Sequence, residues 1–137
     1  MTPSQIALVE DTLASVDLAR LTADFYQRAF AGDPALSTMF TSDPAVQRER
    51  FAAELAEIVR SIRSLDTFAS TARALGARHR DYGVRATHYR LMGTALLDSL
   101  AAALGEGWTP EVEQAWAMAY NLTAETMMTG AMEGPRR

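Results

Sequence analysis

Phe68, Ala72, Leu75 and His79 follow one another at spacings of four, three and four, which puts all of them on one face of a helix and aims the single imidazole at an apolar interior. An imidazole so placed is a candidate metal ligand. The chain contains one other histidine, His88, and no cysteine. A metal held by protein donors alone would therefore find few soft or borderline ligands. A cofactor that brings its own donors and takes one imidazole suits this inventory, and iron in a haem is such a cofactor. The same placement also suits a core histidine whose ring nitrogens are bonded locally, and the spacing leaves both readings open.

The elements that must position this residue read as helices. Thr2-Pro3, Asp43-Pro44 and Thr109-Pro110 each set a capping oxygen before a proline at the first helical position, where proline has no N–H to leave unpaired. Gln5 completes a capping box with Thr2. Between these starts the apolar residues recur with a period near 3.6, as Ile6, Val9 and Leu13, then Leu18, Leu21 and Phe25. Gly32-Asp33-Pro34 ends the second run, and a short turn reaches Met39 and Phe40 before Thr41-Ser42-Asp43 breaks it. Phe51, Leu55, Ile58, Val59 and Ile62 mark the buried face of a long third helix, with Ser64 to Asp66 as the connection to the helix of His79. Tyr82-Gly83-Val84 closes that helix, Thr87 caps the next, and Gly105 ends it. The last helix runs from Pro110, turns Val112, Trp116, Ala119, Tyr120 and Thr123 inward, and stops at Gly130. The expectation is one all-α domain over residues 1–137 with about seven helical segments of unequal length, without repeats or low-complexity stretches.

Composition narrows the function. The chain of 137 residues is 48% apolar and 22% charged, the balance of a globular protein with a substantial core. Thirteen basic against 17 acidic side chains, a net charge of −4, give no basic patch for nucleic acid. Without cysteine there is no disulfide framework, thiolate zinc site, iron–sulfur cluster or cysteine nucleophile. The N-terminus lacks a basic stretch followed by an apolar run, and each apolar segment meets a charge before it could span a bilayer. A cytoplasmic protein without nucleic-acid or membrane partners is expected.

Leu75-Gly76-Ala77-Arg78-His79, Tyr82-Gly83-Val84, His88-Tyr89, Gly93 and Leu96-Leu97 closely resemble the proximal region of bacterial globins. The resemblance is to the globin domains of flavohaemoglobins and to single-domain relatives such as Vitreoscilla haemoglobin. Upstream, Phe25-Tyr26, Arg28, Phe30, Pro34, Leu36 and Phe40 are similar to the family's distal half, and downstream Ala115-Trp116 and Ala119-Tyr120 to its last helix. The resemblance implies a three-over-three globin fold around a haem b.

Residue by residue, it implies that His79 is the proximal iron ligand, that Phe40 wedges against the porphyrin, and that the Tyr26 hydroxyl points at bound dioxygen. Gln47 matches the distal glutamine across a shortened turn, and Phe51 falls where an apolar residue overlies the iron. Leu55, Leu75, Val84, Tyr89 and Met92 complete the cofactor pocket, with Tyr89 in a hydrogen-bonded group behind the proximal histidine. The carboxylate of that group has no direct match: the aligned position is Ala131, and Glu133 lies two residues on. Arg78, Arg80 and Arg85 are candidates for the haem propionates. A hydrogen bond from Tyr26 to the partly anionic ligand is worth about 1.5–3 kcal/mol, roughly 10- to 150-fold in oxygen release.

The function implied is reversible binding of dioxygen, NO and CO, with NO dioxygenation if a separate reductase supplies electrons, since no glycine-rich phosphate loop follows up to Arg137. Gas sensing, oxygen buffering and a haem-free partner-binding module are the other functions the resemblance allows, as a monomer or a homodimer.

Overall fold

The structure, a computed structural model, describes residues 1–40 and 43–133. Its α-helices are α1 (Pro3–Ser15), α2 (Leu18–Gly32), α3 (Pro44–Ser61), α4 (Leu65–Asp81), α5 (Ala86–Leu104) and α6 (Pro110–Met132). Short 3-10 helices at Pro34–Met39 and Gly105–Gly107 follow α2 and α5. Among the described residues there is no strand, as the uniform helical periodicity predicts.

The caps explain where most helices start. Thr2 and Gln5 close the capping box on α1, the Thr2 Oγ1 accepting from the Gln5 N–H at 3.1 Å and the Gln5 Oε1 from the Thr2 N–H at 2.9 Å. Asp43 Oδ1 accepts from the Ala45 N–H at 2.8 Å ahead of α3, and Thr109 Oγ1 from the Val112 N–H at 3.2 Å ahead of α6. Asp17 caps α2 in the same way through Ala19 and Arg20, a start without a proline to advertise it.

Three boundaries differ from expectation. α5 starts at Ala86, not after Thr87, because the Arg85 N–H donates to His88 Nδ1 at 2.9 Å. The histidine plays the part that Glu or Gln plays in a capping box, and the second imidazole is thereby committed to the backbone. The connection before α4 is Ile62 to Ser64, so Leu65 and Asp66 already belong to the helix, where Asp66 favours the N-terminal dipole. Gly130 does not stop α6, which continues to Met132; the glycine is buried against α4. Of the expected break at Thr41-Ser42-Asp43, Thr41 and Ser42 lie outside the described residues.

α4 packs against α6 and α2 against α5 as the two most extensive contacts, and α1 lies along α6. At the α4–α6 crossing a Cβ on Gly76 would run into the backbone of Met127, and one on Gly130 into the backbone of Arg73. Glycine is what lets these backbones touch. α1 is tied to α6 where the Trp116 indole donates to Thr12 Oγ1 at 2.9 Å. Phe25, Leu21, Leu36, Leu100 and Val9, all at most 2% exposed, form the centre of the core. The far end of α4, which carries His79, is fixed by Gly83 at φ 85°, whose left-handed backbone lets the Val84 N–H reach back to the His79 carbonyl at 3.1 Å.

Candidate functional site

His79 sits on the last turn of α4 and is partly buried. Its Nδ1 is 2.8 Å from the carbonyl of Leu75 one turn back. A carbonyl only accepts, so Nδ1 carries the proton and Nε2 keeps its lone pair. The ring is one wall of a cavity with a volume of about 200 Å³, or about 1450 Å³ of space free of protein atoms when its open mouth is included. Among the described residues no three His, Asp or Glu side chains converge as a protein-held metal ion requires. The donor set is a single imidazole.

The other walls come from α2, α3, α5 and α6. Tyr26 from α2, Phe40 after the 3-10 turn, and Gln47, Phe51 and Leu55 from α3 line the cavity together with Leu75, His79, Val84, Tyr89 and Met92. Of the cofactor-site residues singled out from the sequence, the structure leaves only the three arginines out of this cavity. Arg78 is exposed and does not line it, although its charge acts on Glu54 inside it. Arg80 points elsewhere, donating to the Ala131 carbonyl at 3.0 Å and pairing with Asp81 at 3.2 Å, and Arg85 is exposed and outside the lining.

Tyr26 is set in an aromatic cluster. Its ring meets Phe25 edge-on at 5.1 Å, Phe40 at 5.5 Å and Phe51 at 5.8 Å, while Phe25 and Phe51 stack at 4.4 Å. Such packing fixes the ring and leaves its hydroxyl as the polar tip. Burial pushes that hydroxyl up to about 12, with the Gln47 side-chain amide beside it pulling the other way. The group remains an O–H donor throughout the physiological range.

Behind His79 the polar groups are distributed differently from expectation. Glu133 pairs with Arg73 at 3.7 Å, not with the imidazole, and the Ala131 carbonyl is taken by Arg80. Among the described residues the hydrogen-bond partner of the ring is a backbone carbonyl, that of Leu75. The Tyr89 hydroxyl is buried and has no hydrogen-bond partner among the described residues, and burial raises it above the ordinary tyrosine value. The Tyr120 hydroxyl donates to the Tyr89 carbonyl, and burial raises it too.

Two charged residues of the lining had not been singled out, Arg50 and Glu54. Burial raises the Glu54 carboxyl, opposed by the charges of His79, Arg78 and Arg50. They lie three residues beyond Gln47 and Phe51 respectively, so the stripe that carried those two residues also pointed at these.

The globin family model matches residues 23–127 of the chain. The chain is a globin. Its similarity to the flavohemoprotein of Bordetella pertussis is 32% identity over 111 residues, covering 79% of this chain and 28% of that protein. With the flavohemoprotein of Bacillus subtilis it is 29% over 111 residues, with the same coverage. The anaerobic nitrite reductase NSHB5 of Oryza sativa subsp. indica is 32% identical over 114 residues, 79% of each protein. This globin therefore spans about a quarter of the length of the flavohemoproteins it matches.

Haem is the group that the family implies, and the residues fit it. A single imidazole with a free Nε2 supplies the one protein bond that iron in a porphyrin needs. The surrounding wall is apolar and aromatic and is open on one side, as a flat macrocycle with a charged edge requires. The protein is a haem-binding globin of the all-α globin fold. Among the described residues no helix is long and apolar enough to cross a membrane.

Proposed function

We propose that this globin binds dioxygen, and likewise NO and CO, reversibly at a haem b held by His79. The observation that carries the reading is the shared cavity: a histidine with a free Nε2 on α4, and on α2 and α3 a tyrosine hydroxyl with a glutamine amide beside it. Bound there, a haem would supply the iron that takes a diatomic ligand and the redox chemistry that joins dioxygen and NO into nitrate at the cost of one electron from ferrous iron.

The chain's own residues set the terms. His79 holds the cofactor, with its tautomer fixed by the Leu75 carbonyl. Tyr26 donates a hydrogen bond into the ligand space, Gln47 adds a second donor, and the Phe25–Phe51 stack narrows that space. Arg50 at the mouth offers a cation to the haem carboxylates in the place first assigned to Arg78, Arg80 and Arg85.

The neutral carbonyl behind His79 favours reversible binding over peroxide-type cleavage. A carboxylate partner would make the imidazole a stronger electron donor, and here Glu133, the candidate the sequence offered, is paired with Arg73. Repeated NO oxidation needs ferric iron to be reduced, and we place that step on a separate reductase, a reading supported by relatives whose name joins flavin to haem.

The test is the visible spectrum of the purified protein as isolated, reduced, and reduced then exposed to air, followed by NO consumption with and without an added flavin reductase. An intense porphyrin band and a stable oxygenated spectrum are expected, with sustained NO loss when the reductase is present. Oxygenation without sustained NO loss would mean ligand buffering or sensing. A protein that stays colourless after added haemin overturns the reading in favour of a partner-binding module.

A further inference from the structure

We infer that the mouth of the cavity is a docking surface for an electron-donor protein whose own cofactor edge is ringed by carboxylates. Among the described residues that line the cavity only Arg50, on α3, and Tyr82, just past the end of α4, are exposed. The opening therefore lies between them. Tyr82 keeps 60% of its surface in solvent, so an aromatic ring stands at the rim.

Three further arginines surround this rim. Arg78 stands one turn before Tyr82, on the same side of α4, and its charge reaches Glu54 inside the cavity. Arg85 follows Tyr82 by three residues, beyond the turn at Gly83, and is exposed at the start of α5. Arg48 precedes Arg50 by two residues, and the charges of both are felt at the Tyr26 hydroxyl. The ion pairs among the described residues engage Arg28, Arg63, Arg73 and Arg80, and none of the arginines at the rim takes part in one. The acids of the same segments do not cancel them. Asp43 caps α3, Asp81 pairs with Arg80, Glu49 falls on the side of α3 away from the stripe of Gln47, Phe51 and Glu54, and Glu57 lies two turns beyond Arg50.

The rim specifies a protein partner. Arginine and tyrosine are the residues on which protein interfaces concentrate their binding energy, and a small anion would need no exposed ring beside the cations. The chain carries a net charge of −4, with all 13 of its basic side chains arginine. An acidic partner is thus repelled by the molecule at large and drawn to this face alone, so charge selects both the partner's sign and the place where it docks. An electron donor seated there brings its cofactor edge to the opening of the cavity. The partner's task rests on the proposed function, in which Arg50 serves the haem carboxylates and ferric iron needs an external reductant; the docking surface does not.

The test titrates the purified globin into isotope-labelled flavodoxin, an acidic flavin protein, and follows the flavodoxin amide shifts by NMR. Arg48→Glu, Arg85→Glu, the double variant and Arg60→Glu are compared with the parent, and circular dichroism checks that each keeps its helices. Arg60 is exposed and about 15 Å along α3 from Arg50, so its reversal changes the net charge equally but away from the mouth. We expect shifts confined to amides around the flavin, with a Kd raised about fivefold or more by either reversal at the mouth, further by both, and less than about twofold by Arg60→Glu. The shifts should vanish in about 1 M salt, where the Debye length is about 3 Å. A flavodoxin spectrum that the globin leaves unchanged overturns the inference, and is the result expected of a rim that gathers only small anions. So does binding that Arg60→Glu weakens as much as the reversals at the mouth. The absorption spectrum of the same sample separates the two readings: shifts from a colourless protein overturn the haem reading and leave the docking surface, and a coloured, oxygen-binding protein without shifts does the reverse.

Discussion

Three side chains of the cavity have roles that separate under substitution. His79 is the one imidazole of the cavity with a free nitrogen, so His79→Ala should abolish stoichiometric haem retention, measured as the ratio of porphyrin to protein absorbance after gel filtration. Retention by the variant would assign the iron bond elsewhere. Tyr26→Phe keeps the aromatic packing and removes only the donor. Oxygen release, followed by stopped flow, should then accelerate roughly 10- to 150-fold, the range that a hydrogen bond of about 1.5–3 kcal/mol commands. An unchanged rate would pass the donor role to Gln47. Glu54 sets a pH dependence of stability. Burial raises its carboxyl, so the folded protein holds that proton more tightly than the unfolded chain does. Its contribution is complete below the unfolded carboxyl range and is lost as pH rises through the folded value. At neutral pH the ionised group therefore weakens the fold, and Glu54→Gln should raise the thermal midpoint of the apoprotein there. The gap between variant and parent should close in mild acid; a gap that persists unchanged would place its origin in packing and not in charge.

At the scale of the elements, the crossing of α4 and α6 decides where His79 stands. Gly76 and Gly130 make reciprocal backbone contacts, each occupying a place where a methyl group would enter the other helix's main chain. Backbone cannot rotate aside as a side chain can, so the helices must separate to admit a Cβ. Gly76→Ala and Gly130→Ala should each destabilise the protein by about 1–3 kcal/mol or more in urea unfolding, and Gly76→Ala, three residues from His79, should also speed haem loss. Gly130 is instructive about what a sequence carries. A glycine near the end of a helical stripe reads as a stop signal, and Gly105, at φ 54°, is one. Gly130 bears the same local mark but stays helical, because its reason lies on another helix 57 positions away in the chain, at Arg73. His88 behaves similarly: its engagement with the Arg85 N–H moves the start of α5 ahead of Thr87, an alternative cap that no residue-type preference for Ser, Thr, Asp or Asn announces.

For the molecule as a whole, local signals carried most of the architecture. Proline-adjacent caps and a single period placed the helices, and the resemblance to bacterial globins pointed to most of the residues that share the cavity. What escaped them were partnerships across the chain: Arg80 with the Ala131 carbonyl, Glu133 with Arg73, and the inward set of Glu54. Charged side chains with several reachable partners are assigned by tertiary geometry, not by spacing. The same geometry has a global consequence. The cavity is walled by five of the six helices and is open at its mouth, so the apoprotein leaves apolar and aromatic surface unfilled that a macrocycle would cover. A ligand that binds only the folded state stabilises it by RT ln(1 + [L]/Kd), about 2.7 kcal/mol at a hundredfold excess over Kd. For a domain of this size that is a rise of about 10 °C in Tm. Calorimetry of apoprotein with increasing haemin should show the midpoint climbing with the logarithm of haemin concentration, and His79→Ala should flatten that climb. A midpoint indifferent to haemin in the parent protein would mean that the fold is complete without its cofactor, and that the cavity serves something other than haem.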